Sequence, residues 1–122
     1  MNQVEIVVEP SYLAEHSDVM GDHYLFAYHI TIRNLSNNTI TLRHRYWEIT
    51  NAHGEVETVQ GAGVVGEQPT LYPDDDFAYS SGAHLRTPWG SMQGYYEFED
   101  ESGDCFHVTI PRFELKADLT LH

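Results

Sequence analysis

The chain has 122 residues, enough for one hydrophobic core but not comfortably for two, so we expect a single domain over 1–122. Nineteen acidic residues against six basic ones give a formal net charge of -13, which argues against nucleic acid and anionic membrane surfaces as partners. The sequence shows no signal-peptide pattern and no apolar stretch of membrane-spanning length, and Cys105 is its only cysteine, so we expect a cytoplasmic protein without membrane insertion.

Apolar and polar residues alternate along the first part of the chain in the pattern of β-strands. Positions 4–8 form a short first strand, which Pro10 is expected to end, and the polar segment 14–23 is expected to be a loop. The clearest strand follows at 24–33, where aromatic and β-branched residues occupy every second position. The asparagine- and serine-rich segment 34–38 then predicts a turn.

The third predicted strand changes face along its length. The alternation lies on even-numbered positions from 40 to 46, whereas from Trp47 onward the apolar residues lie at odd-numbered positions. One extra residue produces such a change, so the pattern predicts a bulge near Tyr46 and Trp47. Simple alternation also places Arg43 and Arg45 on one face of this strand.

The rest of the chain keeps the β pattern and shows no helical pattern of useful length. After a turn at 51–54, further strands are predicted from position 56 into a glycine-rich segment and, with a hairpin connection at 100–104, at 77–79, 92–98, 106–110 and 113–121. Seven to eight short antiparallel strands separated by frequent turn residues predict an all-β fold, and a β-sandwich is favoured over a closed barrel.

Three glycines, Gly61, Gly63 and Gly66, have the spacing G-x-G-x-x-G. In a dinucleotide-binding fold this motif opens a helix, but Pro69 and Pro73 would interrupt such a helix here. The segment is therefore predicted to connect two strands. Its glycines serve either a tight strand-to-strand passage or a set of exposed amides that accept an anion, and the structural role is favoured.

Several stretches beyond position 60 form more specific motifs. They are Gly61-x-Gly63-Val64-Val65-Gly66-x-Gln68-Pro69-x-Leu71-x-Pro73, Phe77-x-Tyr79-x-Ser81-Gly82, Leu85-x-Thr87-Pro88-x-Gly90-x-Met92-x-Gly94-x-Tyr96 and Phe106-x-Val108-x-Ile110-Pro111-x-Phe113-x-Leu115. Together they resemble the bacterial ApaG family, and the match covers nearly the whole chain. Asp74 departs from the family pattern, in which glycine commonly follows the proline, so a turn of another type is expected there.

This resemblance implies a fibronectin type III-like or immunoglobulin-like β-sandwich. Members of the ApaG family are associated with cobalt resistance and magnesium efflux, are often encoded beside a diadenosine tetraphosphate hydrolase, and have been proposed to bind pyrophosphate through the glycine motif. Related domains in larger eukaryotic proteins, including an F-box substrate adaptor, look like protein-interaction modules. No enzymatic activity comes with the family. The ligand-binding residues that a pyrophosphate role implies here are Gly61, Gly63 and Gly66.

The side chains show no recognisable pattern of a catalytic or metal site. Ser80-Ser81-Gly82 is not a nucleophile elbow, and Cys105 is expected to be an ordinary thiol. The run Asp74-Asp75-Asp76 is expected to be solvated rather than to hold a cation. Histidines without the short spacings of a transition-metal site are expected at scattered surface positions, namely His16, His23, His29, His44, His53, His84, His107 and His122.

We therefore expect a non-enzymatic binding module, without a resident cofactor, that binds an unidentified protein partner or forms a homodimer. Exposed aromatic residues, for which Tyr72, Trp89 and Tyr95 are candidates, or a free strand edge would provide the contact surface. The alternative is a protein that binds phosphate, pyrophosphate or a nucleotide through the amides of the Gly61–Gly66 loop, with the two arginines as counter-charge and magnesium only as companion of the ligand. A phosphoanhydride hydrolase is a weaker third hypothesis.

Overall fold

The computed structural model describes residues 3–119 and contains eight β-strands and one short 3₁₀ helix (Ala14–His16) in that part of the chain. The strands are β1 (Val4–Tyr12), β2 (Tyr24–Asn34), β3 (Ile40–Asn51), β4 (Val56–Ala62), β5 (Thr70–Leu71), β6 (Asp76–Leu85), β7 (Trp89–Asp100) and β8 (Cys105–Lys116). Two predicted positions, Leu121 in the last strand and His122, lie outside the described residues. No helix within 3–119 has the length and apolar character needed to cross a membrane.

The strands form two antiparallel sheets that pack face to face, which confirms the predicted β-sandwich. One sheet has the strand order β1-β2-β6, and the other has the order β4-β3-β7-β8. The short strand β5 pairs with β3 on the edge that β4 also uses, so β4 and β5 follow one another along that edge. The chain divides its strands between the sheets as immunoglobulin-like sandwiches do, with β1, β2 and β6 in one sheet and β3, β7 and β8 in the other.

The core between the sheets is built from alternate residues of the long strands. β2 shows the pattern most clearly, because the side chains buried between more exposed neighbours are Tyr24, Phe26, Tyr28, Ile30 and Ile32. From the opposite sheet, the ring of Trp47 lies 5.5 Å from that of Tyr28 and 5.9 Å from that of Phe113. Burial of this apolar surface, at about 25 cal/mol per Å², is the main source of stability.

β1 is longer than predicted. Pro10 does not end the strand, which continues to Tyr12 with Pro10 opposite Tyr28 of β2. β1 is the outer strand of its sheet, and a proline is tolerated there because only one side of an edge strand needs donors for a partner strand. The ring of Tyr12 then packs 5.4 Å from that of Phe26 and extends the core at this end.

The bulge in β3 lies at Arg43, earlier than the predicted position at Tyr46 and Trp47. Leu42 and His44 pair with adjacent residues of β7, so Arg43 is the extra residue in this strand. The change of face that the sequence indicated is therefore present, but its predicted position was wrong. The residues just after Leu42 are polar, and polar side chains do not report which face of a strand they occupy.

The bulge decides the faces of the residues that follow it. His44 and Tyr46 lie on the outer face of the sheet, whereas Arg45 and Trp47 turn toward the other sheet. Arg43 bonds to a carboxylate on the outer face, while the guanidinium of Arg45 lies close enough to the buried tyrosine hydroxyls to affect their pKa. The prediction that Arg43 and Arg45 share one face is therefore wrong.

Two tyrosine hydroxyls meet inside the sandwich, where Tyr79 of β6 bonds to Tyr96 of β7. Both side chains are buried, and burial raises the pKa of each hydroxyl. Each hydroxyl satisfies the other, and no buried side-chain nitrogen or oxygen in the described part of the chain lacks a partner. Because β6 and β7 belong to different sheets, this bond helps to fix how the sheets face one another.

We expect Tyr96→Phe to lower the free energy of unfolding by about 1–3 kcal/mol, because it leaves the buried hydroxyl of Tyr79 without its partner. The double variant Tyr79→Phe/Tyr96→Phe removes both hydroxyls and is expected to cost less than the sum of the two single changes. Urea denaturation of the three variants measures these losses. Additive losses would show that the two hydroxyls do not act as a pair.

Candidate functional site

The glycine motif folds as a tight hairpin between β4 and β5. Val64 and Glu67 exchange two backbone hydrogen bonds, at 2.8 and 2.9 Å, around a two-residue tip. At that tip φ is 42° for Val65 and 82° for Gly66, and positive values at both central positions are typical of a type I′ turn. The segment therefore connects two strands, as predicted, and opens no helix.

Each glycine of the motif has a separate structural reason. A Cβ at Gly63, where φ is 62°, would lie 2.1 Å from the carbonyl oxygen of Glu67. A Cβ at Gly61 would lie 3.1 Å from Nη1 of Arg45. Gly66 has open space around it, and its φ is the only constraint there. The spacing G-x-G-x-x-G thus follows from the hairpin and from the arginine packed beside it.

Arg45 fastens this hairpin to the sheet. Its Nη1 donates hydrogen bonds to the carbonyl oxygens of Ala62 and Gly63, at 3.1 and 3.0 Å. The guanidinium also lies near the buried hydroxyls of the tyrosines, where its charge partly opposes the rise in their pKa that burial causes. The groups that the hairpin turns toward Arg45 are therefore carbonyl oxygens, which attract a cation and repel an anion.

Several amides of the hairpin donate within the chain. The N–H of Gly63 donates to the carbonyl of Arg43 at 2.8 Å, and those of Val64 and Glu67 take part in the hairpin bonds. Val64 itself is fully buried in the core, so the loop is anchored through a side chain as well as through its backbone. An anion at this motif would contact the amides of the tip residues Val65 and Gly66.

A row of three stacked rings crosses the outer face of the larger sheet. Tyr46 of β3 stacks on Tyr95 of β7 with 5.0 Å between ring centroids, and Tyr95 stacks on His107 of β8 at 4.2 Å. The two tyrosines are half-buried and the histidine is exposed. We call Tyr46, Tyr95 and His107 the aromatic row. Its rings are held against each other on three adjacent strands, so their positions are fixed before any partner binds.

Carboxylates flank the aromatic row on both of its sides. Glu48 accepts hydrogen bonds from Gln93 and from the hydroxyl of Tyr46, both at 2.9 Å, and these bonds hold the pKa of Glu48 below its usual range. Glu97 lies 2.9 Å from Nδ1 of His44 and 3.4 Å from Nε2 of His107, and its pKa is lowered chiefly by the bond to His44. Both carboxylates are therefore ionised at neutral pH.

Shallow hollows flank the aromatic row. One, of about 370 Å³, is lined by both tyrosines together with Gln93, Thr109 and Arg112, and another, of about 260 Å³, reaches toward Gln60 and Gly61. A larger cleft of about 510 Å³ lies elsewhere, between the β3–β4 turn and the end of β6. The aromatic row thus forms a ridge between two depressions, a surface that side chains of another protein can fit around.

The other candidate side chains take ordinary positions. Cys105 is exposed, and the pKa of its thiol is raised by partial desolvation and by nearby carboxylates such as Glu97. Tyr72 and Trp89 are exposed, 60% and 54%, in line with their prediction as surface aromatics. The N–H of Tyr72 donates to the carboxylate of Asp75 at 3.0 Å. Within 3–119, no three His, Cys, Asp or Glu side chains are arranged to share a metal ion.

Taken together, these features define a small antiparallel β-sandwich whose glycine motif is a strand-connecting hairpin. The ApaG domain matches residues 14–100, and the chain belongs to the ApaG family. It is 50% identical over 114 residues to "Protein ApaG" of Agrobacterium fabrum, covering 93% of this chain and 88% of the relative. The corresponding protein of Thiobacillus denitrificans is 50% identical over 120 residues, covering 98% and 94%. A crystal structure titled as the putative ApaA protein of Bordetella pertussis superposes with a TM-score of 0.92 at 39% identity, covering 96% of this chain and 95% of that one.

Asp74 adopts the backbone conformation that a glycine would take in this turn, so the expectation of a turn of another type is wrong. Its φ is 70°, in the left-handed region that glycine adopts without strain and that aspartate tolerates better than most residues. Its N–H donates to the carbonyl of Asn34 at 2.8 Å. This bond ties the turn before β6 to the end of β2, so the aspartate is accommodated without loss of the connection.

Sequence reasoning missed most of the surface around the aromatic row. Tyr95 was a candidate surface aromatic, but Tyr46 was assigned to the same face as the core residues before the bulge. The pairing of His44 and His107 around Glu97 was also missed, because it joins three strands and has no signature in local spacing. The switch to odd-numbered apolar positions was the usable signal, had the bulge been placed at the start of the polar stretch.

We expect Gly63→Ala to destabilise the protein more than Gly66→Ala. Both changes put a side chain at positive φ, which costs about 1–2 kcal/mol, but only Gly63→Ala also forces a contact with the Glu67 carbonyl, for a total loss of about 3 kcal/mol or more. Thermal and urea unfolding of the two variants measures the difference. Equal losses would mean that the close approach at Gly63 does not constrain the hairpin.

Proposed function

We propose that this protein is a non-enzymatic, cytoplasmic binding module whose partner is another protein, and that the aromatic row is its principal contact. The observation that carries this proposal is the stack of Tyr46, Tyr95 and His107 on an open sheet face. Tyrosine is enriched at the energetic centres of protein interfaces, because its large ring has few rotamers to lose and its hydroxyl can bond to a partner.

The geometry of the row favours a polypeptide partner. The stacked rings are already in place, so binding costs little ordering of side chains. The ridge between two hollows has the relief that a complementary protein surface or an extended peptide can match. Ionised Glu48 and Glu97 on either side of the row, together with the net charge of -13, favour a partner that presents Lys or Arg.

The pKa shifts of the candidate reactive groups do not favour an enzyme. The raised pKa of Cys105 favours the thiol over the nucleophilic thiolate. The lowered pKa values of Glu48 and Glu97 favour carboxylates over the protonated acids that general-acid catalysis needs. A phosphoanhydride hydrolase is accordingly the weaker proposal. The cobalt and magnesium associations of the family would then act through the partner, such as a transporter, rather than through a metal bound here.

We expect immobilised wild-type protein to retain a partner from a lysate of its own cells, and Tyr95→Ser to bind that purified partner at least about tenfold more weakly, equivalent to 1.4 kcal/mol. Calorimetry with the isolated partner measures the two dissociation constants. Tyr72→Ser is the matched control, because it removes an exposed tyrosine outside the aromatic row.

The two variants separate the row from general surface effects. Equal affinity of the wild type and Tyr95→Ser would exclude the row as the contact. Equal weakening by Tyr72→Ser would mean that the loss is not specific to it. The urea midpoint of Tyr95→Ser shows whether the variant is folded. In an NMR titration, a shift of the His107 resonances when the partner is added would locate the contact without any substitution.

A second proposal is pyrophosphate or nucleotide binding at the hairpin, with magnesium only as companion of the ligand. The tip supports it, because positive φ at Val65 and Gly66 turns successive amides toward one side. The amides of Gly63, Val64 and Glu67 are already donors within the chain, so any such site is small. Gly61 and Gly63 would then act by shaping the hairpin, and Gly66 by direct contact.

An NMR titration with pyrophosphate, with and without magnesium, tests this second proposal. We expect saturable amide shifts that are largest at the tip amides of Val65 and Gly66 and fall off at their neighbours. Val65→Glu places a carboxylate at the tip and should weaken binding at least about tenfold at low salt, whereas the matched neutral variant Val65→Gln should not. Shifts that do not saturate, or that spread over the surface histidines, would leave the hairpin without a ligand. Gly63→Val is unsuitable here, because its clash with Glu67 would unfold the loop.

A further inference from the structure

The strand edges of the two sheets differ in how they are protected against further pairing. An edge strand has unpaired N–H and C=O groups, and proteins usually guard it with charge, proline, a bulge or short length. β1 contains Pro10, and β8 contains Pro111 followed by Arg112. β4 is a short strand and contains Glu57. Three of the four edges therefore carry a recognisable guard.

The fourth edge, β6, carries a charged residue only at its first position, Asp76, and has no proline and no bulge along the rest of its length. It runs without a register shift through ten residues, Asp76–Leu85, against β2. Between Asp76 and Arg86 the sequence contains no proline and no Asp, Glu, Lys or Arg. In the described part of the chain β6 pairs with β2 and with no other strand. Beyond Asp76, the outer row of backbone groups is therefore long and regular, and no Asp, Glu, Lys or Arg side chain lies beside it.

Small side chains occupy the middle of the outer face of this edge, between Asp76 at its start and His84 near its end, whose ring stacks on that of His23. On the outer face of β6, Ala78, Ser80 and Gly82 are exposed, and none of them projects far enough to block an approaching backbone. The alternate residues turn inward, with Tyr79 buried in the core. A second strand can therefore reach the central part of the β6 edge and continue the hydrogen-bond ladder.

The charges at the ends of β6 indicate which strand fits. The run Asp74-Asp75-Asp76 precedes or begins the strand, and Arg86 follows its last residue. Arg86 is exposed and forms no salt bridge within 3–119. In an antiparallel pair of identical strands, the acidic end of each copy meets the basic end of the other. β6 is thus self-complementary in charge.

We propose that the protein forms a homodimer by antiparallel pairing of β6 with β6 of a second copy. A two-fold axis near Ser80 and Ser81 joins the two three-stranded sheets into one continuous sheet of six strands. This pairing brings Asp76 of each copy beside Arg86 of the other, on the same face of the joined sheet. Both aromatic rows belong to the other sheets and stay free, so this proposal does not depend on the proposed function.

The net charge of each copy opposes self-association at long range, but this repulsion does not decide which edge pairs. At an ionic strength of 0.15 M charges are screened beyond about 8 Å, so contacts between close groups decide the outcome. Pairing through one of the guarded edges, β1, β4 or β8, would bring like-charged glutamates together or place a proline, which has no N–H to donate, in the contact. At β6, the close charges are opposite and the centre of the strand is neutral.

Sedimentation equilibrium of the purified chain at 0.15 M salt tests the proposal. We expect wild-type protein to be a dimer and Ala78→Lys to shift the dissociation constant at least about tenfold toward monomer, because the lysine guards the edge. Val7→Lys is the matched control, since it adds the same charge to an exposed position on β1, the opposite edge of the same sheet. It should dimerise as the wild type does.

A charge-exchange pair gives a stricter test. Asp76→Lys and Arg86→Glu each place like charges together in the symmetric dimer, so each change alone should raise the dimer dissociation constant at least about tenfold. In an equimolar mixture of the two variants opposite charges meet again, so the mixture should recover dimers. The exposed pair between Arg33 and Asp76 is worth little to stability, and Arg86 is exposed, so both variants should stay folded by circular dichroism.

Three results would overturn the proposal. They are a wild-type chain that stays monomeric at high micromolar concentration, a dimer that Ala78→Lys leaves unchanged, and single charge variants whose mixture does not recover dimers. A dimer that Tyr95→Ser disperses and Ala78→Lys does not would place the self-contact on the aromatic row instead. If these results exclude pairing through β6 but Tyr95→Ser still weakens binding of the protein partner, the proposed function stands.

Discussion

One extra residue in β3, Arg43, sets which face of the sheet each following side chain of this strand takes. A register change of a single residue exchanges the two faces of a strand, so it turns Trp47 into the core and Tyr46 out of it. The same change brings Arg45 under the glycine hairpin and His44 onto the outer face beside Glu97. The packed core, the hairpin and the aromatic row therefore have a common origin in one irregularity of the central strand.

The glycine motif illustrates how one sequence pattern arises from different physical needs. In nucleotide-binding folds the glycines let amides approach a phosphate, whereas here they let a carbonyl of Glu67 and the guanidinium of Arg45 approach the backbone. The charge that the hairpin attracts on its inner side is positive, since Ala62 and Gly63 present carbonyl oxygens to Arg45. The anion hypothesis is thereby confined to the two amides of the tip.

The predicted fold could be reached from alternation alone, because burial between two sheets imposes a period of two on every long strand, most clearly on β2. The position of the bulge could not be predicted from alternation, since the polar residues around Arg43 can lie on either face of the strand. The prediction that Pro10 ends β1 was wrong for a similar reason. The effect of a proline on a strand depends on whether the strand lies at an edge, which is a property of the whole sheet. The pairing of His44 with Glu97 depends on register between strands, which no local spacing encodes.

The hairpin tip also has a consequence for protein engineering. Its two residues are bracketed by the mutual hydrogen bonds of Val64 and Glu67, and Val64 is held in the core, so the conformation of the flanking chain does not depend on the tip itself. Val65 is more than half exposed and occupies a backbone conformation that suits asparagine or glycine better. A foreign peptide grafted between Val65 and Gly66 would replace a strained turn, leave both sheets intact, and be displayed from a rigid β-sandwich scaffold.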